Sequence, residues 1–117
     1  MSVIYTGEKD TRLMKDAIVK TADKVIAQDK NCVWLEADLA GCDGVRSIFD
    51  HSDRFINCGI AEANMVGICA GLSSMGMKPY CHSFAPFASR RVFDQVFLFR
   101  CSSVASFHLL CGFIADA

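Results

Sequence analysis

The strongest constraint on the fold is an alternation of two kinds of segment. Short apolar, β-prone runs occur as CVWLEA at 32–37, RFINC at 54–58, YCHSF at 80–84 and FHLLCGFI at 107–114. Stretches with helical spacing stand before and between them. Over residues 11–29, Met14, Ala17, Ile18, Thr21 and Val25 share one side, with Ala22 beside them. Lys15, Asp16, Lys20, Asp23 and Lys24 face water, and Asp10 or Thr11 can cap the start. Residues 61–76 and 86–99 read as two further helices, with Pro86 tolerated near the start of the second. DLAGCDGV at 38–45 is a loop, followed by a short helical turn over 45–49. The order helix, strand, strand, helix, strand, helix, strand predicts a three-layer α/β sandwich with a mostly parallel sheet.

At 117 residues the chain makes one domain at most. An apolar share of 52% against 21% charged places it with globular chains rather than disordered ones. The net charge of −1 leaves no electrostatic footprint for nucleic acid or an acidic membrane. MSVIYTGEKD lacks the apolar core of a secretory signal, and no window of about 18 residues is free of polar groups, so no membrane span is expected. The seven cysteines are odd in number and include no C-x-x-C pair. They read as free, mostly buried thiols in a reducing cytoplasm, not as zinc, iron–sulfur or disulfide ligands.

The stretch FINCGIAEANMVGICAGL sets Glu62 between an apolar strand and a helix of small residues. A carboxylate in the first turn complements the helix dipole. Held in a partly buried spot, the same group can store or transfer a proton. Ala63, Gly67, Ala70, Gly71 and Ser74 line one side of the helix over 61–76. Each glycine costs about 1 kcal/mol against alanine in a helix interior, so the pair needs a packing reason. Close packing on the sheet and contact with another subunit both supply one.

Residues 54–97, from RFINCGIAEANM through SFAPFASRRVFDQVF, resemble the pyrimidine-binding domain of the transketolase family. GIAEANM, the G-x-x-x-G that follows, Lys78-Pro79, the F-x-x-F pair and Arg90 with FDQ occur in the family's order. TR at 11–12 and EADL at 36–39 extend the resemblance to about residues 9–97. It implies one partial pyrimidine-binding domain over 1–117, with 98–117 a divergent tail, closest in kind to the C-terminal subunit of a transketolase split across two chains.

The resemblance further implies thiamine diphosphate as cofactor. Glu62 would be the catalytic carboxyl at the aminopyrimidine ring nitrogen. Phe84 and Phe87 would form the aromatic pocket, with Phe87 stacking on the ring. Asp38 would lie near the cofactor, Arg12 would contact the sugar phosphate, and Arg90 would be structural, or paired with a carboxylate, rather than catalytic. His82 precedes the pocket and reads as a core or edge histidine, or as a residue near the cofactor. Cys42 replaces a family serine that helps hold phosphate, and a thiol is a poor donor.

No GDG motif followed by the metal-binding asparagine is present, so Mg2+ and the diphosphate are expected on a partner, the diphosphate-binding N-terminal subunit. The implied activity is transfer of a two-carbon ketol unit between sugar phosphates, in the cytoplasmic pentose phosphate pathway. A homodimer contact is expected through helix 61–76. The alternatives are a deoxyxylulose-phosphate synthase, a 2-oxo acid dehydrogenase β-type subunit, or a non-catalytic interaction module. After Phe97 the family pattern fades, so a truncation, a fragment or a frameshift is expected, inactive on its own.

Overall fold

The computed structural model describes residues 14–42, 44–46, 52–101 and 108–112. Its elements are α1 (Met14–Gln28), β1 (Cys32–Glu36), β2 (Phe55–Asn57), α2 (Glu62–Ser74), β3 (Lys78–Phe84), a π-helical turn (Phe87–Arg91), α3 (Phe93–Cys101) and β4 (His108–Gly112). The four strands form one sheet in the order β2-β1-β3-β4, and every neighbouring pair is parallel. This is the expected α/β architecture.

All five residues of β1 are buried, as a parallel strand covered on both faces requires. Alternation along β1 and β3 sorts their side chains between the two faces. Val33, Leu35 and Cys81 pack with Met65, Val66 and Cys69 of α2 and with Val92. On the other face Cys32, Trp34 and Tyr80 pack with Ala22 and Ile26 of α1 and with Val45. Each buried aliphatic or aromatic side chain contributes about 1.5–3 kcal/mol, and these two layers hold the helices to the sheet.

Helix α1 meets the sheet along a face rotated from the expected one. Ala22 and Ile26 are buried and Ile18, Val19 and Val25 half-buried, whereas Ala17 and Thr21 are exposed. The bulkier aliphatics turn inward because they remove more apolar area from water. The Thr21 hydroxyl instead donates to the Ala17 carbonyl (2.7 Å). At the far end of α1, Arg54 donates from Nη1 to the Asp29 carbonyl and from Nη2 to the Ile26 carbonyl, both at 2.8 Å. That satisfies carbonyls the helix cannot pair internally and ties β2 to α1.

Helix α2 ends in a Schellman motif. Gly76 (φ 84°) donates to the Ser73 carbonyl and Met77 to the Leu72 carbonyl. The left-handed position needs glycine, and it turns the chain straight into β3. The continuous helix expected over 86–99 is instead a π-helical turn followed by α3. Pro86 lacks an N–H, and the Ser89 hydroxyl donates to the Ala85 carbonyl. Both weaken the regular i→i+4 pattern there, and i→i+5 bonding takes its place over Phe87–Arg91.

Leu35 lies wholly buried at the centre of the larger layer. Leu35→Ala is expected to lower unfolding free energy by about 2–5 kcal/mol in denaturant titration. A loss under about 1 kcal/mol would show that this layer is not the core.

Candidate functional site

In a parallel sheet the carboxyl ends of the strands share one edge, and ligands bind outside that edge where the connections diverge. Here the chain leaves β1 toward β2 and leaves β3 toward β4, so the divergence falls between β1 and β3. The segments opening there carry Asp38 after β1, Glu62 after β2, and Phe84 and Phe87 at and after the end of β3.

Glu62 is the first residue of α2 and is 3% exposed. Ala61 before it makes no side-chain cap. The turn into the helix depends on Gly59 (φ 68°), whose carbonyl accepts from the Ala61 N–H (2.7 Å). A carboxylate so buried is costly unless paired, and both oxygens have partners. Ser83 Oγ donates to Oε1 (3.4 Å), and Arg91 Nη1 donates to Oε2 (3.0 Å). The carboxyl therefore reaches across to β3 and the π turn, which a purely dipolar role would not require.

Arg91 also lies over the Phe87 ring, with its guanidinium carbon 4.0 Å from the centroid. Phe87 meets Phe84 at 6.1 Å between centroids, with the planes tilted by 54°. Glu62, Arg91, Phe87 and Phe84 thus form one unbroken run of contacts. Arg90 is exposed, and the carboxylate partner is Arg91. Arg90, the arginine that the sequence motif marks, stands one position before the one that pairs with Glu62. Ser83 was missed, although strand alternation puts it on the face opposite His82.

Asp38 is exposed and takes a left-handed conformation (φ 63°), unusual for a residue with a side chain. Its Oδ1 accepts from Asn57 Nδ2 (3.0 Å), while Asn57 Oδ1 accepts from the Gly59 N–H (2.9 Å). One amide therefore ties the loop carrying Asp38 to the turn that launches Glu62. Nothing in the sequence marked Asn57, since the tie exists only once β1 and β2 pair.

His82 lies on the opposite face of the sheet from Ser83, buried, with Nδ1 3.4 Å from Glu36 Oε1. Trp34 Nε1 donates to the same oxygen (2.9 Å). This is the core position, away from Glu62. Cys42 is exposed beside the Asp38 loop. Arg12 lies outside the described residues. Cys32, Cys69 and Cys81 are buried free thiols and Cys58 is half-buried. A hydrogen bond with Cys81, and burial after it, push the Cys69 thiol far up, and burial raises Cys58 as well. Such raised thiols at Cys58 and Cys69 are packing groups, poorly suited to nucleophilic chemistry. Among the described residues no His, Cys, Asp and Glu side chains gather as a metal site.

The Asn57 tie is open to a direct check. Asn57→Asp keeps the acceptor for the Gly59 N–H but sets a second carboxylate against Asp38. It is expected to cost about 1–2 kcal/mol in thermal denaturation near neutral pH, with Asp38→Asn restoring most of it in the double variant. Additive losses would show that the two side chains do not interact.

Comparison with known proteins agrees with this fold. The family model for the transketolase pyrimidine-binding domain matches residues 10–112, a span that takes in β4. A 6-deoxy-6-sulfo-D-fructose transketolase subunit of Clostridium sp. (strain MSTE9) is 43% identical over 86 residues, covering 73% of this chain and 27% of that protein. Human transketolase is 42% identical over 98 residues, covering 78% of this chain and 13% of its own length. Among solved structures, a split-gene transketolase described as an inactive β4 tetramer superposes with a TM-score of 0.59 at 33% identity, over 70% of this chain and 28% of that one. The chain thus spans little more than a quarter, or less, of the relatives it matches. It belongs to the transketolase pyrimidine-binding domain family.

Proposed function

We propose that this chain supplies the pyrimidine-binding side of a thiamine-diphosphate-dependent transketolase-type enzyme, with Glu62 as its catalytic carboxyl. One observation carries the reading. The buried Glu62 carboxylate and the Phe87 ring converge on a single planar, N–H-bearing group, the Arg91 guanidinium, at the strand edge where ligands bind. An aminopyrimidine offers a similar shape, a flat π-face with an edge nitrogen that the carboxyl can hold through a shared proton, so the residues present fit the group.

Glu62 would hold the ring nitrogen and keep a proton at that atom. Ser83 would steady the other carboxylate oxygen, leaving the acid one orientation. Phe87 would support the ring face and Phe84 close its side, excluding water from the polar contact. Asp38, held by Asn57, would border the pocket. When bound, thiamine diphosphate supplies a carbanion able to attack a carbonyl, and the protein binds, orients and moves protons. In this reading a second, diphosphate-binding subunit holds the diphosphate and Mg2+. Arg12 contributes to substrate phosphate binding, and the reaction is ketol transfer between sugar phosphates in the cytoplasm.

A close subunit contact through α2 belongs to the same proposal. A Cβ built at Gly67 or Gly71 meets nothing within 4 Å among the described residues, so no contact among them requires these glycines. Ile60 and Met75, at 77% and 72% exposure, flank the helix at either end. A second backbone approaching α2 gives the glycines their purpose.

Two experiments test the reading. Glu62→Gln, assembled with a diphosphate-binding subunit, Mg2+ and thiamine diphosphate, is expected to lose about 10²–10⁴-fold in ketol-transfer turnover while its circular dichroism is unchanged. Turnover at the wild-type level would sink the assignment. Gly71→Ala is expected to stabilise the chain by about 1 kcal/mol in thermal melts and to weaken assembly roughly tenfold in sedimentation. A stabilised variant that assembles normally would rule out close packing there.

A further inference from the structure

Arg91 takes a place that its neighbours make chemically specific. Its guanidinium is planar, donates from its edge and carries a delocalised charge over its faces. One edge donor reaches Glu62 Oε2 at 3.0 Å, and one face covers Phe87 at 4.0 Å. These are the two contacts the proposed function gives to the aminopyrimidine, whose nitrogen needs a Glu62 oxygen and whose face needs Phe87. The other oxygen, Oε1, accepts from Ser83, which is fixed in β3 and 1% exposed. Ser83 cannot leave without breaking the strand. Arg91 can, because 49% of its side chain is already exposed and it stands on the π turn rather than in a regular helix.

We propose that Arg91 is a built-in competitor for the pyrimidine site: ring and guanidinium exclude one another, and the cofactor enters as Arg91 swings outward. The proposal rests on the reading of Glu62 and Phe87 given above. Competition lowers apparent affinity by the fraction of time the site is open, so a site open about a fifth of the time binds about fivefold more weakly than an open one. Selectivity comes from the site itself once it is open. A ligand that offers only a flat face, or only a hydrogen-bonding edge, cannot replace both Arg91 contacts and leaves Glu62 or Phe87 without a partner.

The test titrates thiamine diphosphate calorimetrically into wild type, Arg91→Ala and Arg91→Lys, each assembled with a diphosphate-binding subunit and Mg2+. Arg91→Ala is expected to bind about fivefold more tightly. Arg91→Lys keeps a charge opposite Glu62, and so the fold, but has no plane to lay on Phe87. It is expected to fall between the two. Unchanged or weaker binding in Arg91→Ala, or a lysine variant tighter than the alanine one, overturns the proposal. Failure of the underlying reading looks different, since the wild-type assembly would then take up no thiamine diphosphate and Glu62→Gln would change nothing.

Discussion

The pairing of β1 with β3 is the constraint on which everything else depends. Five residues of each strand run in parallel register, from Cys32 opposite Lys78 to Glu36 opposite His82. Parallel strands need a crossover, so β2 and α2 must lie between them in the chain and must pack back onto the sheet. Burial on both faces then sorts the side chains: Leu35 and Cys81 go to the α2 layer, Trp34 and Tyr80 to the α1 layer. The same register brings the carboxyl ends of both strands to one edge, where their onward connections separate. The candidate site is therefore a consequence of topology before any catalytic residue is considered.

Glu62 gives that edge its buried carboxylate. The start of a helix is electrostatically hospitable to a carboxylate, but hospitality does not explain 3% exposure or the reach toward β3 and the π turn. Burying the group gives it fixed geometry and removes competing water. The π turn supplies the other half of the arrangement, since it carries Phe87 and Arg91, four residues apart, on one flank. Turns of this kind recur at functional sites because they re-aim side chains at a modest cost in backbone regularity.

Much of this was legible in the residues. The β-prone runs around Trp34, Ile56 and Cys81 fixed the strands, and helical spacing fixed the helices. Glu62, Phe84 and Phe87 stood out through their place in a long ordered motif. What was not legible follows from geometry that sequence does not encode locally. Whether Ala17 or Ala22 faces the sheet depends on how α1 docks as a body. Whether Arg90 or Arg91 returns over Phe87 depends on the geometry of the turn that carries them. Asn57 becomes a link between Asp38 and Gly59 only after β2 lies beside β1. His82 is the core histidine that its strand position suggests, since two-residue alternation sends it to Glu36 on the far face.

The most direct test of the account is a crystal structure of the chain assembled with a diphosphate-binding subunit, Mg2+ and thiamine diphosphate. The account predicts the pyrimidine ring against Phe87, a ring nitrogen within hydrogen-bond distance of Glu62, about 2.7–3.2 Å, and Arg91 turned toward solvent. A ring bound elsewhere, with Glu62 still paired to Arg91, would contradict it.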